Sequence, residues 1–286
     1  MKDIPVGVDL NGHVCAVTGG AGVLCSCIST YLARAGAKVA LLDIADEPGT
    51  QAAEEVQKDG GEAEFFHCDV LDKSSIEDAA EQITGSLGRP TILLNGAGGN
   101  SPKATTSKEW LTDDAIKEAF EDEQSFFNID DKGFRFVFDL NIIGTLLPTQ
   151  VFTRIMCEDG RGTVLNISSM SAFAPLTKVG AYSAAKAAIS NFTEWLATHF
   201  AKVNIRVNAI APGFFDTNQN HFLLFNDKEE LTDRGRKIIN GTPMARFGEP
   251  EELVGAVLYL LSDKASGFVT GVVLPIDGGY NAYSGV

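Results

Sequence analysis

Short apolar runs rich in β-branched residues recur along this chain at 14–18, 38–43, 64–69, 91–95, 163–168, 204–210 and 272–277. Each ends in a cluster of Gly, Asp, Asn or Ser. The central runs are apolar throughout rather than alternating, as strands covered on both faces are. Between them lie segments with helical spacing of apolar residues: Ile28, Leu32 and Ala35; Ile76, Ala79, Ala80 and Ile83; Leu253, Ala256, Val257 and Leu260. Strand and helix alternate from one end to the other, which predicts an α/β fold with a doubly wound parallel sheet of about seven strands and helices on both faces. No linker, repeat or low-complexity stretch interrupts the pattern, so residues 1–286 are expected to form one domain.

Two stretches depart from the plain alternation. Residues 99–133 are polar, acidic and longer than a connection needs, and residues 214–242 are rich in Phe, Asn and charged groups. Both follow strand ends, and open α/β sheets bind ligands beyond the carboxyl ends of their strands. These extensions are therefore expected to wall a substrate site. Surface decoration is the alternative.

The first strand runs into VTGGAGVLC, a Gly-rich strand-to-helix turn. Such a turn lets the backbone approach a pyrophosphate at the positive end of a helix, and makes Gly19, Gly22, Val23 and Leu24 candidate contacts. Strand two ends in Asp43, 24 residues after Gly19, followed by Ile44. A carboxylate there accepts hydrogen bonds from adenosine ribose hydroxyls and repels a 2′-phosphate, and no Arg directly follows it. This points to NAD bound on a Rossmann-like sheet rather than to NADP. Asp69 and Val70 at the third strand end, with Asn95, Ala97 and Gly98 at the fourth, would face the rest of the dinucleotide.

Tyr182 and Lys186 stand at i and i+4, on one helix face. A phenol is a poor acid at neutral pH, and a neighbouring ammonium should lower its pKa of about 10 by about 1–3. Tyr182 is then a usable proton donor or acceptor at a carbonyl or alcohol, and Lys186 can also hold the nicotinamide ribose. Ser169, 13 residues earlier at a strand end, can hydrogen-bond the reacting oxygen.

Lys and Arg number 23 against 38 Asp and Glu, a net charge of −15. That field argues against nucleic acid and anionic membranes as partners. Five cysteines at irregular spacing (Cys15, Cys25, Cys27, Cys68, Cys157) fit a reducing compartment and offer no metal-binding pattern. The N-terminal residues have no secretory pattern and no run of about 18 apolar residues occurs, so a cytoplasmic protein is expected. Cys25 is either a reactive thiol at a helix N-terminus or an inert packed one. His13, His67, His199 and His221 are scattered, with no Ser–His–Asp arrangement.

Together the TG turn, Asp43, Asp69, LNGAG, DLNIIGT, NISS, YSAAK, APGFFDT and the closing PIDGG resemble the short-chain dehydrogenase/reductase family in order and spacing, over nearly the whole chain. The resemblance implies that Asn141 joins Ser169, Tyr182 and Lys186 as a catalytic tetrad. It implies that Pro212, Phe215 and Thr217 line the nicotinamide side, and that the protein is a homo-oligomer, a tetramer. One departure stands out: where the family pattern TGxxxGxG has glycines, this chain has Val23 and Cys25, with Gly22 displaced by one position. GVLC, NGAGGNSPKATT, DTNQNHFLLF and TPMARFGEPEELVGA resemble a bacterial sugar-acid oxidoreductase branch, which implies a small sugar acid as substrate. Asn100, Ser101, Lys103, Asn218, Gln219, Asn220 and His221 are its candidate contacts, with Lys103 for the carboxylate. Another polyol or keto-acid dehydrogenase, or a non-enzymatic NAD-binding sensor, are the competing readings.

Overall fold

The computed structural model describes residues 8–113, 116, 124–217 and 221–285. Seven strands form one fully parallel sheet: β1 (Val14–Thr18), β2 (Lys38–Asp43), β3 (Glu62–His67), β4 (Ile92–Asn95), β5 (Gly162–Ile167), β6 (Ile205–Pro212) and β7 (Val273–Ile276). Their order is β3-β2-β1-β4-β5-β6-β7, so chain direction across the sheet reverses between β1 and β4. The expected fold class holds. The expected third strand, 64–69, is displaced, because the edge strand β3 starts where Glu62 pairs with Lys38 and ends where the Cys68 N–H donates to the Asp43 carbonyl.

Successive side chains on a strand point to opposite faces, so each central strand feeds two cores. Cys15, Val17, Val39, Leu41 and Leu94 pack with α1 (Val23–Arg34), α2 (Asp46–Lys58) and α8 (Val254–Leu261) on one face. Ala16, Ala40, Leu42, Leu93 and Val164 pack with α3 (Lys73–Ser86), α5 (Gly144–Asp159) and α6 (Gly180–Phe200) on the other. On α6, Ile189 and Leu196 are buried inside the protein. Helix α4 (Asp131–Phe138) joins α5 through a π-turn at Asp139–Ile143, and α7 (Asp233–Gly241) lies within the second extension. The continuous helical stretch Asp131–Asp159 is long and apolar enough to cross a membrane, yet half of its most apolar portion is buried inside the protein, as in a core helix.

The second core is stitched by buried polar groups. Asn95 Nδ2 donates to Asn166 Oδ1 at 2.8 Å and to Thr149 Oγ1 at 2.9 Å, and Asn166 Nδ2 donates to Thr193 Oγ1 at 2.9 Å. Along α5 a ladder of threonine hydroxyls returns to backbone carbonyls one turn earlier: Thr153 to Thr149, Thr149 to Thr145, Thr145 to Asn141. These bonds tie β4 and β5 to α5 and α6 directly beneath the strand ends. An unmade buried bond of this kind costs about 1–3 kcal/mol. Asn166→Ala is therefore expected to destabilise the protein by about 2–4 kcal/mol, read as a lower urea midpoint at unchanged m-value. A change within 0.5 kcal/mol would show that water replaces the bridge.

Candidate active site

The Gly-rich turn is built by close approach. Gly19 has φ +67, and a Cβ there would lie 2.8 Å from the Ala97 nitrogen, so the β1 exit needs glycine to pass the β4 exit. Thr18 Oγ1 accepts from the N–H groups of Gly96 and Ala97 and holds the two exits together. Gly22 precedes α1 with no side-chain cap, and the first turn carries no acid. The first N–H groups of α1, beginning with those of Val23 and Leu24, face outward without an intrahelical acceptor. That is a cradle for a pyrophosphate. The position where a third glycine would normally stand holds Cys25, and its sulfur lies 2.2 Å from where a Cβ on Gly96 would be. Gly96, without a side chain, leaves the space that the Cys25 side chain fills. Burial pushes the Cys25 thiol up to about 12, with Asp43 adding to the effect and Lys186 opposing it, so of the two readings of Cys25 the inert one holds.

Asp43 closes the β2 exit. Its Oδ2 accepts from Ala21 N–H and its Oδ1 from Ala45 N–H, both at 3.1 Å, which fixes the carboxylate beside the turn with lone pairs left for ribose hydroxyls. Ile44 next to it is exposed. Asp69 is exposed at the β3 exit and caps its own turn through Leu71 N–H, with Val70 buried against α5. Asn95 is turned into the core network, so what it offers the cleft is backbone. Gly98 is needed for space: a Cβ there would meet Asn141 Oδ1 at 2.7 Å and Lys186 Nζ at 3.2 Å. Pro212 ends β6, and Phe215 is buried in the core, where its ring fills the space over Gly248. The Thr217 carbonyl accepts from His221 N–H. This shape and donor set fit a dinucleotide.

The structure brings four of the sequence-predicted residues together beside Gly98 and the β5 exit. Asn141 sits in the π-turn, fully buried, and its amide donates to the carbonyls of Gly99 and Val137 at 2.7 Å and accepts from Gly99 N–H. Ser169 Oγ accepts from Ser171 N–H and Oγ–H, and a hydrogen bond links it to the Tyr182 hydroxyl. Because the serine hydroxyl already accepts twice, its own proton is free for the tyrosine or a substrate oxygen. Lys186 is buried and donates to the Ile167 carbonyl at 2.8 Å, with its nitrogen 5.6 Å from the Tyr182 ring centre.

The expected lowering of the phenol pKa is reversed. Burial pushes the Tyr182 phenol up, and the Ser169 hydrogen bond opposes this only in part. The ammonium is directed at a carbonyl, and burial lowers its own pKa to about 8. Sequence spacing places the pair on one face but says nothing of the depth at which that face lies.

Of the substrate candidates, Asn100 donates to Thr105 Oγ1, and Lys103 is exposed on a turn whose carbonyl accepts from Gln124 and whose Cβ packs against Gly133. Asn218, with Gln219 and Asn220, lies outside the described residues. His221 is held by Asp216 at 3.0 Å and Glu229 at 3.2 Å, and these acids raise its pKa, the Asp216 bond most. Among the described residues no group of three or more His, Cys, Asp or Glu is placed to hold a metal. Thr18 belongs to the TG turn read from the sequence, but its role in joining the two strand exits appears only in the structure. The ion pair of Lys237 with Glu109 at 2.7 Å, which joins the two extensions, has no local signal in the sequence.

A parallel sheet with an open glycine turn at its switch point and a Ser–Tyr–Lys–Asn group at the next strand ends defines a nucleotide-dependent oxidoreductase. The family model described as enoyl-(acyl carrier protein) reductase matches residues 22–281, and the chain belongs to the short-chain dehydrogenase/reductase family. It is an NAD(P)-dependent oxidoreductase. A Bacillus subtilis protein known as the uncharacterized oxidoreductase UxuB is 50% identical over 99% of this chain and 100% of its own. A Haemophilus influenzae crystal structure with bound NAD, provisionally named a D-mannonate oxidoreductase, is 49% identical with a TM-score of 0.92 over 99% of this chain and 100% of its own. A gluconate 5-dehydrogenase from Burkholderia cenocepacia, in complex with NADP and tartrate, is 25% identical with a TM-score of 0.82 over 98% of this chain and 99% of its own.

The buried lysine carries a cost that pH can reveal. A pKa lowered from 10.5 to about 8 corresponds to roughly 3 kcal/mol of disfavoured charge burial. Below pH 8 folded and unfolded chains both hold the proton and the cost is full. Between about 8 and 10.5 only the unfolded chain holds it, so stability rises with pH. Lys186→Met is expected to be more stable than wild type by about 1–3 kcal/mol at pH 7 in cofactor-free urea unfolding, with the advantage fading toward pH 10.5. An unstabilised variant would show that the Ile167 hydrogen bond offsets the burial.

Proposed function

We propose that the protein interconverts D-fructuronate and D-mannonate with NAD(H). The observation that carries the substrate is the whole-chain likeness to the NAD-bound Haemophilus structure. The convergence of Ser169, Tyr182, Lys186 and Asn141 supports the reaction type. A bound dinucleotide would supply or accept the hydride at C5 of the sugar acid, in aldonate numbering. Gly19, Gly22, Val23 and Leu24 would hold its pyrophosphate and Asp43 its adenosine ribose. Asp69, Val70, Ala97, Gly98, Pro212 and Thr217 would border the rest.

The reacting oxygen lies between the Ser169 and Tyr182 hydroxyls. Ser169 donates a hydrogen bond to it, and Tyr182 delivers the proton as a ketone is reduced or takes it as an alcohol is oxidised. A buried phenol with a raised pKa stays protonated, which suits the donor role in reduction. Lys186 places a positive charge that steadies the phenolate left behind, and the nicotinamide ribose hydroxyls are within its role. Asn141 holds the Gly99 backbone so that the cleft wall keeps its shape. The substrate is a small acid in solution, with neither nucleic acid nor membrane as partner, in a cytoplasmic homo-oligomer.

Tyr182→Phe is expected to lower kcat by about 10²–10⁴ while NADH binding, followed by fluorescence, stays within threefold. A loss below tenfold with chemistry rate-limiting would move the acid role elsewhere. Asp43→Ala is expected to weaken NADH far more than NADPH. Wild-type activity with NADPH equal to or above that with NADH would overturn the cofactor preference, and faster turnover of 5-ketogluconate than of fructuronate would favour the gluconate 5-dehydrogenase reading.

A further inference from the structure

The second extension of this acidic protein carries a positively charged helix whose cations are not all paired among the described residues. Helix α7 carries three cations, Arg234, Arg236 and Lys237. Arg236 bonds Asp233 at 2.6 Å on the solvent side, and Lys237 bonds Glu109 at 2.7 Å. Arg234 makes no hydrogen bond or ion pair with the described residues, although it is only partly exposed. Residues 234, 238 and 241 share one helix face. Ile238 on that face is buried, and a Cβ on Gly241 would lie 3.1 Å from the Tyr280 ring, which itself packs edge-on against Phe214. Phe214 and Tyr280 follow the exits of β6 and β7, and β6 is the neighbour of β5, whose exit presents Ser169. The charge of Arg234 acts on the Tyr280 phenol and also on Glu109 of the first extension.

Lys178 reaches the same place from a third element, the loop between Ser169 and Tyr182. Its carbonyl accepts from Thr106 N–H at 2.9 Å, it is held in the left-handed backbone region at φ +71, and its charge also acts on Glu109. A non-glycine residue in that region is strained and persists where its surroundings demand it. Three cations from two elements, Arg234 and Lys237 on α7 and Lys178 on the loop before α6, thus act on one acid, and among the described residues Lys237 alone forms an ion pair with it.

We infer that Arg234, with Lys178 beside it, binds the carboxylate of an acidic substrate, and that these two rather than Lys103 set the preference for sugar acids over neutral sugars. A guanidinium presents a planar fork matched to a carboxylate. This inference rests on the proposed sugar-acid reaction, and its test separates the two. Arg234→Gln is expected to raise KM for fructuronate by about 10- to 150-fold with kcat within threefold and with KM for an uncharged ketose unchanged. Arg234→Lys should recover part of the loss, and Lys103→Met should change KM by less than threefold. D-mannonate binding to the wild-type protein with NADH, measured by calorimetry, gives a readout independent of turnover. Turnover of fructuronate with KM unmoved in Arg234→Gln, or an equal loss on charged and neutral substrates, would overturn the clamp and leave the reaction standing. No turnover of uronates, with D-mannonate binding lost in Arg234→Gln, would overturn the reaction and leave the clamp. Neither turnover nor binding in wild type would overturn both.

Discussion

The hydrogen bond from the buried Lys186 ammonium to the Ile167 carbonyl is the contact on which the site turns. It anchors α6 to the exit of β5, and so sets the position of Tyr182 one turn earlier and of Ser169 two residues beyond that exit. The space it occupies is the reason Gly98 has no side chain to spare, and Asn141 closes the same space from the π-turn. A lysine placed there is only weakly held in its charged form. The fold therefore tolerates a destabilising group at the one point where a positive charge beside a phenol is useful, and the polar ladder through Asn95, Asn166 and the α5 threonines supplies rigidity beneath it.

Much of this was legible in the chain. Unbroken apolar runs foretell a sheet buried on both faces, and the alternation with helices foretells parallel strands; the seven-strand sheet follows from those two patterns. The edge strand β3 is displaced by two residues at both ends, because exposure on one side removes the apolar continuity that marks the others. Within the site, residue type and spacing identify Tyr182 and Lys186 but leave depth unspecified, and depth reverses the direction of the phenol's pKa. Asn95 and Phe215 look like cleft residues by order along the chain, yet strand alternation and the gap over Gly248 turn their side chains into the core. Arg234 and Lys178 carry no local signature, since their meaning comes from Glu109, far away in sequence.

The Gly-rich turn shows how a motif can change its letters and keep its geometry. The family pattern has glycine where α1 passes the β4 exit, and here the cysteine on the helix is accommodated by Gly96 just beyond the strand. The contact remains close, and the buried thiol is held far from the ionised form that would react. What the sequence presents as a departure is one side of a matched pair.

The position of β1 between β2 and β4 also governs how the protein is made. β1 and β2 are neighbours in sequence, so the β3-β2-β1 half of the sheet forms from residues near the start of the chain, while the other edge of β1 waits for β4. Residues 19–91 must leave the ribosome first, which takes about 4–15 s at common rates of synthesis. Throughout that interval an apolar strand with open backbone groups is exposed, the kind of edge that pairs with other chains. The nascent protein is thus at its most vulnerable before its catalytic half exists, and a chaperone acting in those seconds would meet the dinucleotide half alone.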